Sequence, residues 1–443
     1  MTQDLTNGPI TRTMLRFALP MILGNLLQQV YNIADTLIVG RFIGSDALAA
    51  VGSAYTLMTF LTSILLGLCM GSGAVFSIRR GEKNEEGLKD SVIHSFLMIA
   101  ALACVLNTAV FLLIDPILFF LQVPGSIYGM MREYLWIIFF GIAATFLYNF
   151  FASLLRAVGN SVTPLLFLGI CALLNIALDL VFVIRFQWGV GGAAAATVIS
   201  QFVSGAGLFF YTMWVFPEFR FSPGEIRLKK RVFHEIAQFS FLTCLQQSVM
   251  NLGILMVQGL VNSFGTAVMA AFAAAVKIDS FAYMPVQDFG NAFSTFTAQN
   301  YGAKKTERLR AGMKSAVCCS VLFCLMISLS VYVFARPLML LFVKPEETQI
   351  LAIGVQYLRI EGAFYCGIGC LFLLYGFYRA VERPGMSVVL TVISLGTRVA
   401  LAYLLSAIPS VNVAGIWWSV PIGWLLADLA GFFYYYKKKK LLF

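Results

Sequence analysis

Long stretches of this sequence carry no charged side chain. Asp, Glu, Lys and Arg are absent from residues 47–78, 91–114, 134–155, 157–178, 186–217, 236–276 and 399–427. A helix needs only about 20 apolar residues to cross the hydrocarbon core of a bilayer. Because lipid satisfies no backbone hydrogen bond, a chain crosses it as helices or as a closed barrel, and long apolar runs without alternation select helices. We therefore predict an all-α membrane protein.

The composition excludes most other classes of protein. Of the 443 residues, 60% are hydrophobic and 12% are charged, which rules out a secreted, nucleic-acid-binding or disordered chain. All nine cysteines fall in apolar segments, where a thiol behaves as a small hydrophobic group, so we expect no disulfide or zinc site. The two histidines, His94 and His234, stand beside charged loops, and we predict neither an enzyme nor a cofactor. The short polar start leads into a full-length span, so we expect no removable signal peptide.

Turn residues and charge clusters divide the chain into twelve predicted spans. The longest polar stretch, residues 217–231, separates an amino-terminal six-helix lobe (1–216) from a carboxy-terminal lobe (233–443), with 217–232 as a cytoplasmic linker. The predicted spans are 13–39, 47–78, 89–114, 128–154, 161–184, 190–214, 233–262, 267–298, 310–334, 350–377, 386–407 and 413–436.

The distribution of basic residues predicts the orientation of the chain. With the N-terminus inside, 23 of the 31 Lys and Arg residues lie on the cytoplasmic side and five lie outside, as the positive-inside rule favours. The other three, Lys277, Arg359 and Arg398, fall within spans. We predict a multi-pass protein of the bacterial plasma membrane with both termini cytoplasmic. The lysine run 437–440 is interpreted as a surface anchor, with binding of anionic lipid as the alternative.

The second half of the chain repeats the first at an offset of 221 to 223 residues. Each half contains an even number of spans, so the two halves enter the membrane in the same sense and are related by an axis along the membrane normal. Such parallel repeats are typical of secondary transporters rather than of channels or enzymes. The matched pairs include Gly44 with Gly265, Tyr134 with Tyr357, Arg156 with Arg379 and Val190 with Val413.

Over essentially its whole length the chain resembles the multidrug and toxic compound extrusion (MATE) transporters, in the bacterial branch with the DinF-like and MepA-like proteins. The resemblance rests on Pro20 followed by Asp35, the run 35–40 leading into Ala49 and Ala50, and the segments 156–160 and 298–302. It implies a V-shaped pair of six-helix lobes that exports organic cations or amphipathic compounds in exchange for protons or sodium ions. We expect a monomer that binds a small-molecule substrate, sits in membrane lipid and has no nucleic-acid partner.

Four polar residues near the outer ends of their spans form the candidate cation-coupling site. Asp35, Asp179 and Thr197 lie at similar depth, and Asn175 is one helical turn from Asp179 on the same face. Their oxygens would suit a hard cation such as sodium, or the carboxyls would share a proton. The alternatives are a salt bridge of Asp179 with Arg185 and a bond of Thr197 to its own helix. The resemblance implies the same four residues.

In the second half the equivalent positions hold different residues: Met256, Arg398, Ala402 and Val420. An ion site needs one copy, whereas a structural role would favour two. The second half instead carries its own intramembrane charges, which would either pair as a structural network or, at Asp279 and Glu361, attract a cationic substrate. These charges are Lys277, Asp279, Asp288, Arg359, Glu361, Arg398 and Asp428.

Further candidates concern the substrate cavity and conformational change. Pro20 removes a backbone hydrogen bond from the first span and permits a kink, which would be static or would respond to protonation of Asp35. Two alternatives to a cation-coupled antiporter working by alternating access remain: a lipid-linked saccharide flippase of the same superfamily, and a membrane receptor or channel. The candidate cavity residues are Gln28, Asn32, Gln246, Met250, Asp279, Tyr283 and Glu361.

Overall fold

The computed structural model describes residues 2–121, 123–220 and 229–438, and within these ranges the regular structure is helical throughout. A π-helical turn, Leu180–Arg185, extends α7, and a 3-10 turn, Pro217–Phe219, follows α8. Part of the predicted linker (221–228) and part of the lysine run (439–440) lie outside the described residues. The helices are α1 Ile10–Phe42, α2 Ser45–Gly81, α3 Glu85–Leu112, α4 Ile114–Phe120, α5 Gly125–Ile138, α6 Gly141–Ala157, α7 Val162–Asp179, α8 Gly189–Val215, α9 Lys230–Asn262, α10 Thr266–Gly302, α11 Thr306–Met339, α12 Thr348–Gly362, α13 Tyr365–Ala380, α14 Pro384–Ser406 and α15 Ala414–Lys437.

The twelve predicted spans are all present as helices. Among the described residues, nine helices are long and apolar enough to cross a membrane, and two bent pairs, α5 with α6 and α12 with α13, bring the number to eleven. The twelfth is α1, which has 33 residues and is more polar because it carries several amides and Asp35. The all-α membrane fold predicted from the sequence is therefore confirmed.

Two spans are broken at a place that the sequence did not predict. The axes of α5 and α6 differ by 46°, and those of α12 and α13 differ by 51°. Glycine stands at each break, as Gly141 and Gly362. A Cβ on Gly141 would lie 2.5 Å from Gln201 Oε1 of α8, the far end of a flexible side chain that can move aside. The two breaks occupy corresponding spans of the two halves.

The chain forms two compact units. Unit 1 contains Met1–Asp4 and Leu23–Cys244, and unit 2 contains Leu5–Ile22 and Leu245–Phe443. Helix α1 therefore passes from unit 2 into unit 1 after Ile22, and α9 passes from unit 1 into unit 2 after Cys244. A buried aromatic cluster that includes Phe76 and Phe150 fills the core of unit 1.

The first half of α9 is tightly attached within unit 1. A Cβ on Gly71 of α2 would lie 2.5 Å from Phe239 O, so the backbones of α2 and α9 are in direct contact. Near the cytoplasmic end predicted from the sequence, Arg79 Nη2 pairs with Glu235 Oε2 at 2.6 Å. The backbone N–H of Lys229 donates to His94 Nε2 at 2.8 Å, just before α9 begins. Because Lys229 also pairs with Asp90 of α3, the pKa of its amine is raised.

Unit 2 is built around two helix contacts. The backbones of α10 and α13 touch, since a Cβ on Gly376 would lie 2.5 Å from Gly290 O. Nearer the opposite end of α10, Phe272 stacks on Trp417 with ring centroids 5.5 Å apart, and Tyr357 packs edge-on against the same indole. These contacts fix α10, α12, α13 and α15, and the polar groups of α10 and α12 take their positions from them.

Candidate functional site

The four predicted cation-coupling residues come together in unit 1. Asp179 is the last residue of α7, Asn175 lies one turn earlier, Thr197 is on α8 and Asp35 is on α1. Asn175 Nδ2 donates to Thr197 Oγ1 at 3.3 Å, and that hydroxyl donates to Ala193 O at 3.1 Å. The carboxyls of Asp35 and Asp179 are close enough to share a hydrogen bond when one of them carries a proton.

This site holds buried oxygen atoms that have no donor. Asp179 is fully buried and Asn175 is 1% exposed. Apart from the contact between the two carboxyls, no donor in the described part of the chain reaches either carboxyl oxygen of Asp179, Oδ1 of Asp35 or Oδ1 of Asn175. Buried carboxylates without a partner cost several kcal/mol, so a proton or a hard cation is the natural complement of these oxygens.

Of the two alternatives for these residues, the structure argues against the salt bridge of Asp179 and contains the bond of Thr197 to its own helix. Both carboxyl oxygens of Asp179 are without a partner in the described residues, which argues against a salt bridge with Arg185. The bond from Thr197 to the Ala193 carbonyl is present, but the same hydroxyl oxygen also accepts from Asn175. The amide nitrogen of Asn175 is used in this way, whereas its carbonyl oxygen is buried and has no donor among the described residues.

Three tyrosines near the acidic pair, Tyr31, Tyr55 and Tyr134, were not predicted to belong to the site. Tyr134 of α5 is buried and lies within electrostatic range of Asp35, Asp179, Tyr31 and Tyr55. Two sequence signals could have identified them. Tyr31 precedes Asp35 by one helical turn, and Tyr134 is matched by Tyr357 in the repeat.

Unit 2 contains a second acidic pair, made by Asp279 of α10 and Glu361 of α12. The Tyr357 hydroxyl lies 2.9 Å from Glu361 Oε2 and 3.4 Å from Asp279 Oδ2, and the Tyr365 hydroxyl donates to Asp279 Oδ1 at 2.6 Å. The guanidinium of Arg398 interacts electrostatically with both carboxyls. These contacts favour the structural-network alternative for Asp279, Glu361 and Arg398 over attraction of a cationic substrate.

The remaining candidates are divided between the two units. Gln28 and Asn32 are half-buried on the part of α1 that belongs to unit 1, whereas Gln246, Met250 and Tyr283 belong to unit 2. Their cavity role stays a prediction. Pro20 lies inside α1, two residues before the helix passes into unit 1, and its conformational role also stays a prediction.

The other charges of unit 2 lie apart from the network described above. Lys277 and Arg359 are exposed, and Arg359 stacks over the Tyr332 ring at 5.4 Å. Asp288 and Asp428 are buried. Within the described ranges, no group of three or more His, Cys, Asp and Glu side chains could hold a metal ion, so a sodium site would depend on amide and hydroxyl oxygens as well as on carboxylates.

A repeated set of membrane-spanning helices with an acidic pair buried among them is typical of a membrane transporter. The family model MatE matches the chain twice, over residues 20–181 and 240–404, as expected for a duplicated unit. The chain therefore belongs to the MatE family of multidrug and toxic compound extrusion transporters, as its resemblance predicted.

Individual relatives agree with this assignment. The chain is 30% identical to the "Probable multidrug resistance protein YpnP" of Bacillus subtilis, over 97% of this chain and 95% of the relative. It is 27% identical to the "Probable multidrug resistance protein YoeA" of the same organism, over 97% and 94%. A solved structure described as the outward-facing conformation of a multidrug resistance MATE family transporter matches with a TM-score of 0.92 at 22% identity, covering 100% of this chain and 99% of that one, and this likeness shows the fold.

Proposed function

We propose that this protein is an antiporter that exports organic cations or amphipathic compounds by alternating access, driven by entry of protons or sodium ions. The observation that carries the proposal is the buried acidic pair of unit 1, whose oxygens lack a donor among the described residues. A pair of this kind needs one exchangeable cation to be neutral. Family membership and the names of the relatives support small-molecule export.

Coupling follows from competition between the two bound states. Binding of a cation at Asp35 and Asp179 would neutralise the pair and favour the conformation in which the exported compound is released. Because coupling between two sites is reciprocal, binding of the compound must weaken binding of the cation by the same factor. Asn175 and Thr197 would hold a sodium ion through their oxygens, or would position the acids that share a proton.

The direction of transport depends on orientation in the membrane. We propose that the protein lies in the bacterial plasma membrane with both termini cytoplasmic, because 23 of its 31 basic residues then lie on the inner side. In that orientation the acidic pair lies toward the outer surface, where protons and sodium ions enter along their gradients.

The test is efflux of a fluorescent organic compound from proteoliposomes under a pH gradient and, separately, a sodium gradient. Both a cationic and an anionic dye are used, since the proposal requires only that some amphipathic compound is exported. Flux under one gradient that disappears in Asp35→Asn would name the coupling ion and support the proposal. Flux of both dyes that ignores both gradients, or full gradient-driven flux in Asp35→Asn, would contradict it.

A further inference from the structure

One face of α10 is polar along most of the helix. From Lys277 to Thr295, six of its exposed or half-buried positions follow each other at intervals of three or four residues, which is the spacing of a single helix face, and the exposed Phe281 lies beside them. Residues between them, such as Ile278, Ala282 and Phe289, are buried in unit 2. This polar face consists of Lys277, Ser280, Met284, Gln287, Asn291 and Thr295.

Such a face is unsuited to contact with lipid. The exposed side of α11 shows what a lipid-facing surface of this protein looks like, with Leu322 at 60%, Leu325 at 55% and Leu329 at 67% exposure. Amines and amides exposed to hydrocarbon cost free energy, so polar groups inside a membrane face protein or water. The polar side chains of this face are therefore expected to meet water or protein rather than lipid.

The charges on or behind this face are positive. Lys277 is exposed, and none of the carboxylates in the described part of the chain lies within ion-pair distance of its amine. The two acids of α10, Asp279 and Asp288, are on the buried side of the helix. Asp279 is already engaged by Tyr357 and Tyr365.

A second cation stands behind the other end of the polar face. Arg379 of α13 is only 5% exposed, and its guanidinium donates to Asn291 Oδ1 at 3.2 Å and to Ser294 Oγ at 3.3 Å. Both partners are neutral, and the described residues offer this guanidinium no carboxylate. A buried charge is normally paired or used to bind a ligand.

The bond from Arg379 also fixes the orientation of Asn291. Because a guanidinium only donates, the amide oxygen of Asn291 faces Arg379 and its NH₂ group faces away. This NH₂ group makes no hydrogen bond within the described ranges, and Asn291 is half-buried on the polar face. An amide polarised by a buried cation is a good donor to an anion.

We propose that the polar face of α10 lines the export path and that the exported compound carries an anionic group, a carboxylate or a phosphate. The Asn291 amide, backed by Arg379, and the Lys277 amine are two positions along α10 that receive this group. The inference rests on the export function proposed above and narrows its substrate class from cations or amphipathic compounds to amphipathic anions.

The experiment compares two dyes in proteoliposomes under the coupling gradient: carboxyfluorescein as the anion and ethidium as the cation. We expect wild type to transport carboxyfluorescein, and Lys277→Gln to lower that rate roughly tenfold, as for loss of a hydrogen bond to a charged group. Arg359→Gln is the matched control, because it removes an exposed cation of the same unit that stacks on Tyr332 and is not on the polar face. It should leave carboxyfluorescein transport unchanged.

A second variant keeps the test independent of any damage to folding. Asn291→Asp supplies Arg379 with the carboxylate that it lacks, so the thermal midpoint should rise while carboxyfluorescein transport falls. Gradient-driven transport of ethidium without carboxyfluorescein would overturn the substrate class and leave the antiporter proposal standing. Equal carboxyfluorescein rates in Lys277→Gln and Arg359→Gln would also overturn it. Absence of transport for both dyes would contradict the antiporter proposal itself.

Discussion

The two units stabilise their buried carboxyl pairs in different ways. Each buries a pair of carboxyls beside a tyrosine at the same position of the repeat, Tyr134 in unit 1 and Tyr357 in unit 2. In unit 2 the tyrosines hydrogen-bond the acids and Arg398 supplies a positive charge. In unit 1 the described residues supply no such cation, and both oxygens of Asp179 lack a donor.

The difference arises at one repeat position in particular. Arg398 of unit 2 corresponds to Asn175 of unit 1, so a permanent cation in one unit is replaced by a neutral ligand in the other. A guanidinium is charged at every accessible pH and cannot leave. The acidic pair of unit 2 thus has a permanent positive charge beside it, whereas under our proposal the pair of unit 1 takes its cation from solution. This contrast is why we place ion exchange in unit 1.

The largest expected effect tests that placement directly. Asp179→Asn removes the charge that requires the exchangeable cation, so gradient-driven efflux should be abolished. Because the variant also removes a buried carboxylate without a partner, the thermal midpoint of the purified protein should stay the same or rise. Efflux in proteoliposomes and a thermal unfolding curve in detergent provide both readouts. Retained coupling, or a large loss of stability, would break the comparison.

The second prediction concerns Arg398. Arg398→Met leaves Asp279 and Glu361 buried without their cation, and loss of one partner from a buried charged pair costs about 3 to 5 kcal/mol. We expect the lower end of this range, since the guanidinium acts on the carboxyls without a direct ion pair. Denaturant unfolding in micelles would measure it.

A double variant separates the electrostatic cost of losing Arg398 from lost packing. Adding Glu361→Gln to Arg398→Met removes one of the two negative charges and should restore most of the stability. If the double variant is as unstable as Arg398→Met alone, the role of Arg398 is packing and the network interpretation is wrong.

Sequence reasoning was reliable where hydropathy decides the outcome. The twelve spans follow from the length of the apolar segments. Lipid satisfies no backbone hydrogen bond, so a segment of that length crosses the membrane as a helix. Asn175 and Asp179 could be placed on one face because their spacing of four residues fixes it. The tyrosine in unit 2 was within reach of the same reasoning, since Tyr357 precedes Glu361 by four residues.

Other features depend on contacts between distant segments and were not predictable in this way. The amino-terminal half of α1 belongs to unit 2 because of contacts such as those of Arg308 with the carbonyls of Leu5 and Gly8. The bends before Gly141 and after Gly362 contain no proline, the residue that usually signals a bend in a helix. Pairing of Asp35 with Asp179 requires α1 to meet α7, which no local pattern encodes.

The third prediction compares two helix contacts, one in each unit. Gly376 of α13 lies against the backbone of Gly290, with 2.5 Å between its would-be Cβ and the carbonyl oxygen. In unit 1, a Cβ on Gly73 of α2 would meet the Ser153 Cβ at 3.3 Å, so the two helices would need to separate by only a few tenths of an ångström. Gly376→Ala should therefore destabilise by about 2 kcal/mol, the usual cost of overpacking. Gly73→Ala should cost less than half of that.

Denaturant unfolding of both variants provides this comparison. Gly385→Ala is the control, since nothing lies within 4 Å of its would-be Cβ. Equal losses of stability for Gly73→Ala and Gly376→Ala would contradict the difference in packing between these two contacts.

The smallest expected effect concerns the hydroxyl of Thr197. Thr197→Val copies the residue that unit 2 has at the equivalent position, Val420, and removes the acceptor that orients Asn175. Loss of one neutral hydrogen bond costs about 0.5 to 1.5 kcal/mol, which corresponds to a few-fold weaker apparent affinity for the coupling ion at an unchanged maximal rate. Transport measured as a function of proton or sodium concentration gives this affinity.

Thr212→Val is the matched control, because Thr212 is on the same helix and its hydroxyl donates to Leu208 O at 2.7 Å, away from the acidic pair. A Thr197→Val affinity equal to that of Thr212→Val would remove Thr197 from the ion site and leave Asn175 to be held by its helix alone. Complete loss of coupling would instead make this hydroxyl as important as the acids. The intermediate result that we expect would mean that the carboxyls are what requires a cation. The neutral ligands, Asn175 and Thr197, would then set the affinity for it.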